Sequence, residues 1–289
     1  MTFAGELRYG FRSLAKSPVF ALIAVVSLAL GIGANTAVFS LLDQALLRYL
    51  PVSDPDHLVQ LKERGDYYGS NTGFNALSYP VYEDFSGQNQ VFAGMMCRHL
   101  LPFSLGFEGR NERVEGEIVS GTYFPVIGVR PAAGRLFTPE EDGQRGGAPF
   151  AVLGYGYWQS RFGGNPAVIG KDILVNNHKL TVIGVAQKGF NGMERLTTAQ
   201  IYVPLSMAEQ LTDETKPFEN RRRRWLQVFA RLNPGVTRGE AKASLQPIFH
   251  RILEMEVQQK EFAHATPYVR QQFLKMTLDL LPGGNGQND

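Results

Sequence analysis

The sequence predicts an α+β domain carried behind one N-terminal membrane-spanning helix, and three observations predict it. Residues 19–42 contain no Asp, Glu, Lys or Arg. Beyond them, Gly, Pro and Asn divide the chain into short elements that alternate between strand and helix. A β–α–β order stands before a β-rich stretch at about residues 115–208, and another stands after it, so one domain is split by an insertion.

The apolar run VFALIAVVSLALGIGANTAVFSLL has the roughly 20 residues needed to cross a bilayer. Ser17 suits the N-cap, and Pro18 suits the first helical position, where a missing N–H costs nothing. The helical pattern continues to Leu47, giving residues 17–47 a length of about 45 Å at about 1.5 Å per residue. Since the hydrocarbon slab is about 30 Å thick, the last turns project as a stalk. A cleaved signal peptide has a shorter apolar core, and the small-residue site Ala29-Leu30-Gly31 lies inside this run rather than after it. An uncleaved anchor is expected.

Before the span, residues 1–16 place Phe3, Leu7, Phe11 and Leu14 on one helical face and Arg8, Arg12 and Lys16 on another. Such a basic amphipathic segment lies on anionic headgroups, so Arg8, Arg12 and Lys16 are expected to contact lipid at the membrane surface. Their charge puts the N-terminus inside and the main domain outside. Within the span, Ala29, Gly33 and Ala37 recur every four residues and permit close packing against another helix.

The domain elements follow in order. A strand is predicted at 58–61, and Ser78-Tyr79-Pro80 opens a short helix through Phe85. β-structure follows at 91–107 and 114–119. Thr138-Pro139-Glu140-Glu141 is a capping box, so the acidic trio Glu140, Glu141 and Asp142 serves a helix start rather than a metal. An apolar strand at 150–153 leads to a helix at 155–162 closed by Gly163 and Gly164. Ile173 and Val175, then Leu180, Val182 and Val185, flank Asn176-Asn177 as a hairpin. Ile201 to Leu205 is a strand, placed at a sheet edge because of Pro204. Leu226, Val228, Ala230 and Leu232 alternate as a strand. Thr237 and Glu240 cap a helix that buries Ala241, Leu245, Ile248, Phe249 and Ile252 and is expected to kink at Pro247. Leu274, Met276, Leu278 and Leu280 alternate as a last strand.

Chemistry-bearing patterns are missing. The net charge of +2 offers no basic field for nucleic acid. A lone Cys97 excludes an intramolecular disulfide and a cysteine zinc site, and five scattered His make no metal pattern. There is no phosphate-binding loop, no His-Glu-x-x-His and no Gly-x-Ser-x-Gly. Gly31 and Gly33 belong to the apolar span, not to a dinucleotide fingerprint. Arg221-Arg222-Arg223-Arg224 is expected as a solvated loop rather than an anion dock, and Tyr155, Tyr157 and Trp158 as core. Asp54 and Asp56 around Pro55 suit a turn. No catalytic residue, cofactor or metal is assigned, and the chain is not expected to be an enzyme.

Five stretches carry a family resemblance: LALGIGANTAVFSLLDQALLRYLPVSDPDHLV, SYPVYEDF, VSGTYFPVIGVRPAAGRLFTPEED, VLGYGYWQSRFGGNPAVIGKDILVNNHKLTVIGVA and RLNPGVTRGEAKASLQPI. The chain resembles the N-terminal half of FtsX/MacB-like ABC transporter permeases, and within them the acidobacterial duplicated orphan permeases. The resemblance implies an inner-membrane protein with a MacB-like periplasmic core domain. It also implies a porter-like β–α–β subdomain (residues 48–114 and 209–281) split by a β-rich Sabre-like insertion (115–208), with a polar tail at 282–289. Further implied are a cytoplasmic ABC ATPase partner, three more transmembrane helices, and a mechanical rather than catalytic role. Tyr49 replaces the usual Pro of the family's Leu-Leu-Arg-Pro-Leu-Pro pattern. No later apolar span follows Leu281, so this is expected to be the first part of a longer permease. The alternatives are a stand-alone single-span protein whose outer domain binds a ligand or partner, and a membrane-tethered hydrolase, for which no motif speaks.

Overall fold

The computed structural model describes residues 18–42, 49–72, 75–194, 197–212 and 216–286. The chain divides into two compact units, residues 1–48 and 49–289. In the first, helix α1 spans Pro18–Leu42, a length of about 37 Å at about 1.5 Å per residue. It is long and apolar enough to cross a membrane, with its apolar side chains exposed all round. Thr36, a polar interruption, returns its hydroxyl to the Ile32 carbonyl at 2.8 Å and so needs no partner from outside the helix. The expected interfacial helix with Arg8, Arg12 and Lys16, and the stalk at 43–47, lie outside the described residues.

The second unit begins with β1 (Leu58–Arg64), β2 (Ser70–Asn71) and β3 (Ala76–Leu77). Helix α2 (Tyr79–Gln88) starts where Ser78 accepts from the Val81 N–H, with Pro80 in the first turn. A long antiparallel hairpin follows, β4 (Phe92–Phe107) with β5 (Arg110–Val119), its turn made by left-handed Glu108 and Gly109. Then come α3 (Tyr123–Ile127), β6 (Pro131–Gly134) and β7 (Phe150–Leu153). Helix α4 (Tyr155–Phe162) ends on left-handed Gly163, as its sequence requires. Strands β8 (Asp172–Val175) and β9 (His178–Ala186) form the expected hairpin, with Asn176 and Asn177 both at positive φ. The remainder is β10 (Ile201–Pro204), α5 (Ala208–Leu211), β11 (Arg223–Arg224), β12 (Leu226–Leu232), α6 (Arg238–Glu256), α7 (Pro267–Leu274) and β13 (Thr277–Pro282).

Among the described residues, eleven strands form one sheet in the order β13-β1-β12-β4-β5-β10-β7-β9-β6, with β3 added to β12. β8 pairs with both β4 and β9, so β4, β5, β10, β7, β9 and β8 close a ring. β4 belongs to both halves: β12 pairs with it up to Arg98, and β5 takes over on its other side from Arg98 onward. Strand alternation feeds two cores. Val228 and Ala230 face one, which extends from the ring to Phe85 on α2 and Leu245, Phe249 and Ile252 on α6. Phe229 faces the other, with Leu58, Met96, Tyr123, Phe124, Phe137, Phe190 and Tyr202.

Four expectations need correction. β10 is interior, between β5 and β7, and tolerates Pro204 because that residue ends the strand, past the last pair with β7. Leu274 ends α7, a helix opened by Thr266 and Pro267, and the last strand begins only at Thr277. The capping box of Thr138 and Glu141 forms, but over a single 3-10 turn, Pro139–Asp142. Finally, the arginine tract is not a solvated loop. Arg222 and Arg224 are buried, and Arg221, Arg222 and Arg224 pair with Asp84, Glu256 and Glu63 respectively.

Candidate functional site

The feature that organises this domain is its base, where the chain arrives from Tyr49 and departs toward Gly286. β1 leaves the base as β13 returns to it, and the two run antiparallel with Val59 opposite Pro282. Beyond the ladder the pairing continues: Gly283 donates to the Leu58 carbonyl at 2.7 Å and Leu50 to the Gly284 carbonyl at 2.9 Å. Two glycines permit this. A Cβ on Gly284 would stand 2.4 Å from the Pro55 oxygen, and one on Gly283 about 3.0 Å from the Leu58 and Val59 backbone. The two crossings of the chain therefore lie against each other, backbone on backbone.

The incoming segment is turned by Asp54, which adopts left-handed φ 43°, and by the 3-10 turn Pro55–His57. Asp54 contacts the His57 ring at 2.9 Å, while Asp56 accepts from the Tyr49 hydroxyl at 2.5 Å, so both aspartates do serve a turn. Arg231, near the base end of β12, fixes the segment to the fold. Its guanidinium donates to the carbonyls of Ser53 (2.5 Å), Asp54 (2.8 Å) and Val126 (2.9 Å). Ser53 in turn donates its N–H to Ile127 at 2.8 Å, and Gly128 gives it room, since a Cβ there would stand 2.2 Å from the Ser53 hydroxyl. One side chain thus binds the incoming segment to both β12 and α3. Arginine suits this task because its planar fork carries five donors.

Two charged clusters lie behind the base. In the first, Arg98 on β4 and Glu117 on β5 are wholly buried and paired at 3.0 Å. Glu117 also accepts from the Tyr123 hydroxyl at 2.6 Å and the Met193 N–H at 3.2 Å, and Arg98 bonds Glu194 as well. The second cluster is the arginine tract at the far end of β1, about 20 Å away at about 3.3 Å per residue. There the Arg222 guanidinium lies over Phe273 (4.6 Å), Phe262 (4.7 Å) and Tyr67 (5.2 Å). Three of the tract's four arginines pair with acids from α2, α6 and β1, which makes it a structural clasp joining β1 to the C-terminal end of α6.

Ala29, Gly33 and Ala37 lie along α1 at four-residue spacing and are exposed, with no heavy atom within 4 Å of a Cβ placed on Gly33. Tyr157 and Trp158 are core, as their helix predicts. The histidines are not brought together: His57 meets Asp54, His99 packs edge-on against Trp225, and His250 meets Glu254. Among the described residues, no group of three or more His, Cys, Asp and Glu side chains is placed to hold a metal ion. The base was missed by pattern reading. Its signals were a Gly-Gly pair directly after an apolar strand, and Arg98 directly after the apolar run Met95-Met96-Cys97 in β4; Glu117 gave none, since β5 is rich in charge along its length.

Three comparisons with known proteins bear on this geometry. The family profile of the MacB-like periplasmic core domain matches residues 21–248. Among solved structures, a domain provisionally assigned to a permease protein of Porphyromonas gingivalis superposes with a TM-score of 0.56 at 14% identity, covering 82% of this chain and 95% of that one. The periplasmic region of MacB from Actinobacillus actinomycetemcomitans gives 0.52 at 15% identity, covering 70% and 85%. At these identities the likeness is one of fold. A comparison with curated proteins found no match.

Proposed function

Because this chain belongs to the MacB-like periplasmic core domain family of ABC-type permeases, we propose that it passes motion between a cytoplasmic ATPase and the periplasm, and that it does no covalent chemistry. The observation that carries this reading is the base. Incoming and outgoing segments are hydrogen-bonded side by side, Leu50 to Gly284, so helices attached at the two segments would load the same edge of one sheet. Arg231 ties that edge to β12 and α3, and the close-packed sheet behind it would move as a body rather than deform.

In this reading α1 is the first helix of a bundle. Ala29, Gly33 and Ala37 receive a neighbouring helix, and Arg8, Arg12 and Lys16 hold the cytoplasmic surface. The N-terminus is cytoplasmic and residues 49–289 are periplasmic, in the inner membrane. Residues 48–114 and 209–281 form the porter-like part and residues 115–208 the inserted part, with β4 common to both halves of the sheet. The ATPase and the remaining transmembrane helices are the partners.

Affinity capture of the complete gene product from native membranes tests the proposal. Recovery of an ABC-type ATPase in stoichiometric amount is expected. Repeated capture of the intact membrane protein with no ATPase would overturn it.

A further inference from the structure

The segment Gln187–Glu194, which follows β9, meets the outgoing chain where Met193 lies against Gly286. Gly286, at φ +86°, presses so closely that a Cβ on it would stand 2.5 Å from the Met193 oxygen. The same residue's N–H is bonded to the Glu117 carboxylate at 3.2 Å, and its side chain is wholly buried. Gly192, at φ +97°, makes that bond possible, because a Cβ there would meet Glu117 at 2.6 Å. The next residue, Glu194, bonds Arg98. Met193 therefore stands between the outgoing segment and the buried ion pair located where β4 passes from one half of the sheet to the other.

The charges in this cluster are not equivalent. Arg98 and Glu117 have no exposed side-chain surface and satisfy one another, whereas Glu194 retains 22% exposure. Separating Arg98 from Glu117 would leave a buried charge without its partner, a large cost. Releasing Glu194 leaves Arg98 with Glu117 and returns Glu194 to water, a much smaller one. The hook is thus the one member of the cluster built to let go.

We propose that Gln187–Glu194 is a releasable strap: displacement of the outgoing segment at Gly286 shifts Met193, unhooks Glu194 from Arg98, and so reports movement of the base to the junction between the two halves of the sheet. This inference rests on the reading of the base as the place where helices load the domain. It adds the element that responds and the bond that breaks.

Hydrogen exchange on the chain as it stands, in detergent, with Glu194→Gln and Gly286→Ala, tests it. Glu194→Gln removes the charge at a position that keeps 22% exposure, without changing size. It is expected to speed exchange at Phe190 and Met193 by about tenfold, within the range of typical coupling between sites. Exchange at Gly283 and Gly286 should rise with it, while β1 and β12 stay unchanged. Gly286→Ala is expected to loosen residues 187–194 in turn, because coupling is reciprocal. The strap is overturned if either substitution loosens only its own segment, if neither loosens anything, or if both loosen the whole sheet equally. ATPase capture, which tests the permease reading, is independent of all these results.

Discussion

Leu50 and Gly284, 234 positions apart in sequence, share a 2.9 Å backbone hydrogen bond that joins the start of the outer domain to its end. The contact depends on glycine. Gly284→Ala would drive a Cβ to 2.4 Å from the Pro55 oxygen, and we expect a loss of about 1–3 kcal/mol, typical of overpacking against rigid neighbours. Gly87→Ala is the control. Gly87 lies inside α2 with nothing within 4 Å of the added methyl, and a gain of about 0.5–1 kcal/mol is expected from helix propensity. Urea unfolding of the full chain measures both.

Arg231 is expected to be the most sensitive side chain at the base. Arg231→Met keeps the volume but leaves the carbonyls of Ser53, Asp54 and Val126 without their donors. A cost of about 4.5 kcal/mol follows from about 1.5 kcal/mol, the low end for a hydrogen bond to a charged group, at each of the three carbonyls. Arg231→Lys should recover only part of it, since an ammonium cannot span three carbonyls as a planar fork does. Equal stability of the lysine variant and the parent would show that geometry at the clamp is unimportant.

Local signals made most of the elements legible, and long-range pairing made the rest illegible. The hairpin at Asn176-Asn177, the caps at Ser78 and Thr237, and the helix closed by Gly163 each rest on chemistry within a few residues. Pro204 misled because proline bars a strand from forming a ladder only where its missing N–H is needed, and at Pro204 the strand is already ending. Leu274 and Met276 continued an alternation by chance, while Thr266 and Pro267 marked a helix start that went unread. The arginine tract reads as solvated from composition alone. Its burial depends on Glu63, Asp84 and Glu256, whose approach comes from three different elements and leaves no trace in local spacing.

At that tract, Arg222→Ala would leave Glu256 buried with one of its partners gone and would empty the space over Phe262 and Phe273. A loss of about 3–5 kcal/mol is expected, as for breaking other buried pairs. The double variant Arg222→Ala with Glu256→Gln should lose clearly less than the two single variants combined, because no uncompensated charge remains at Glu256. Chemical denaturation of the four proteins of this cycle gives the coupling. Additive losses would contradict the clasp.

Two half-buried groups give opposing pH dependence. Burial raises the Asp142 carboxyl to about 6, so its contribution is complete below about pH 4 and is lost as pH rises through 6. Burial with neighbouring Arg98 lowers His99 to about 4, so its contribution is complete above about pH 6.5 and is lost as pH falls through 4. Each effect is on the order of 2 kcal/mol between about pH 4 and 6. Relative to the parent, Asp142→Asn should therefore gain stability with rising pH across that window, and His99→Gln should lose it. Melting temperatures at pH 4.5, 5.5 and 6.5 decide. Parallel curves for all three proteins would contradict the assignment.

Hydrogen exchange at the base, in membranes containing the complete permease and its ATPase, tests the central claim most directly. With ATP present, residues 49–57 and 283–286 should change their exchange, while β12, in the body of the sheet, keeps its protection. Identical exchange at those base residues with and without ATP, in a preparation that hydrolyses ATP, would contradict the claim that motion enters the domain there.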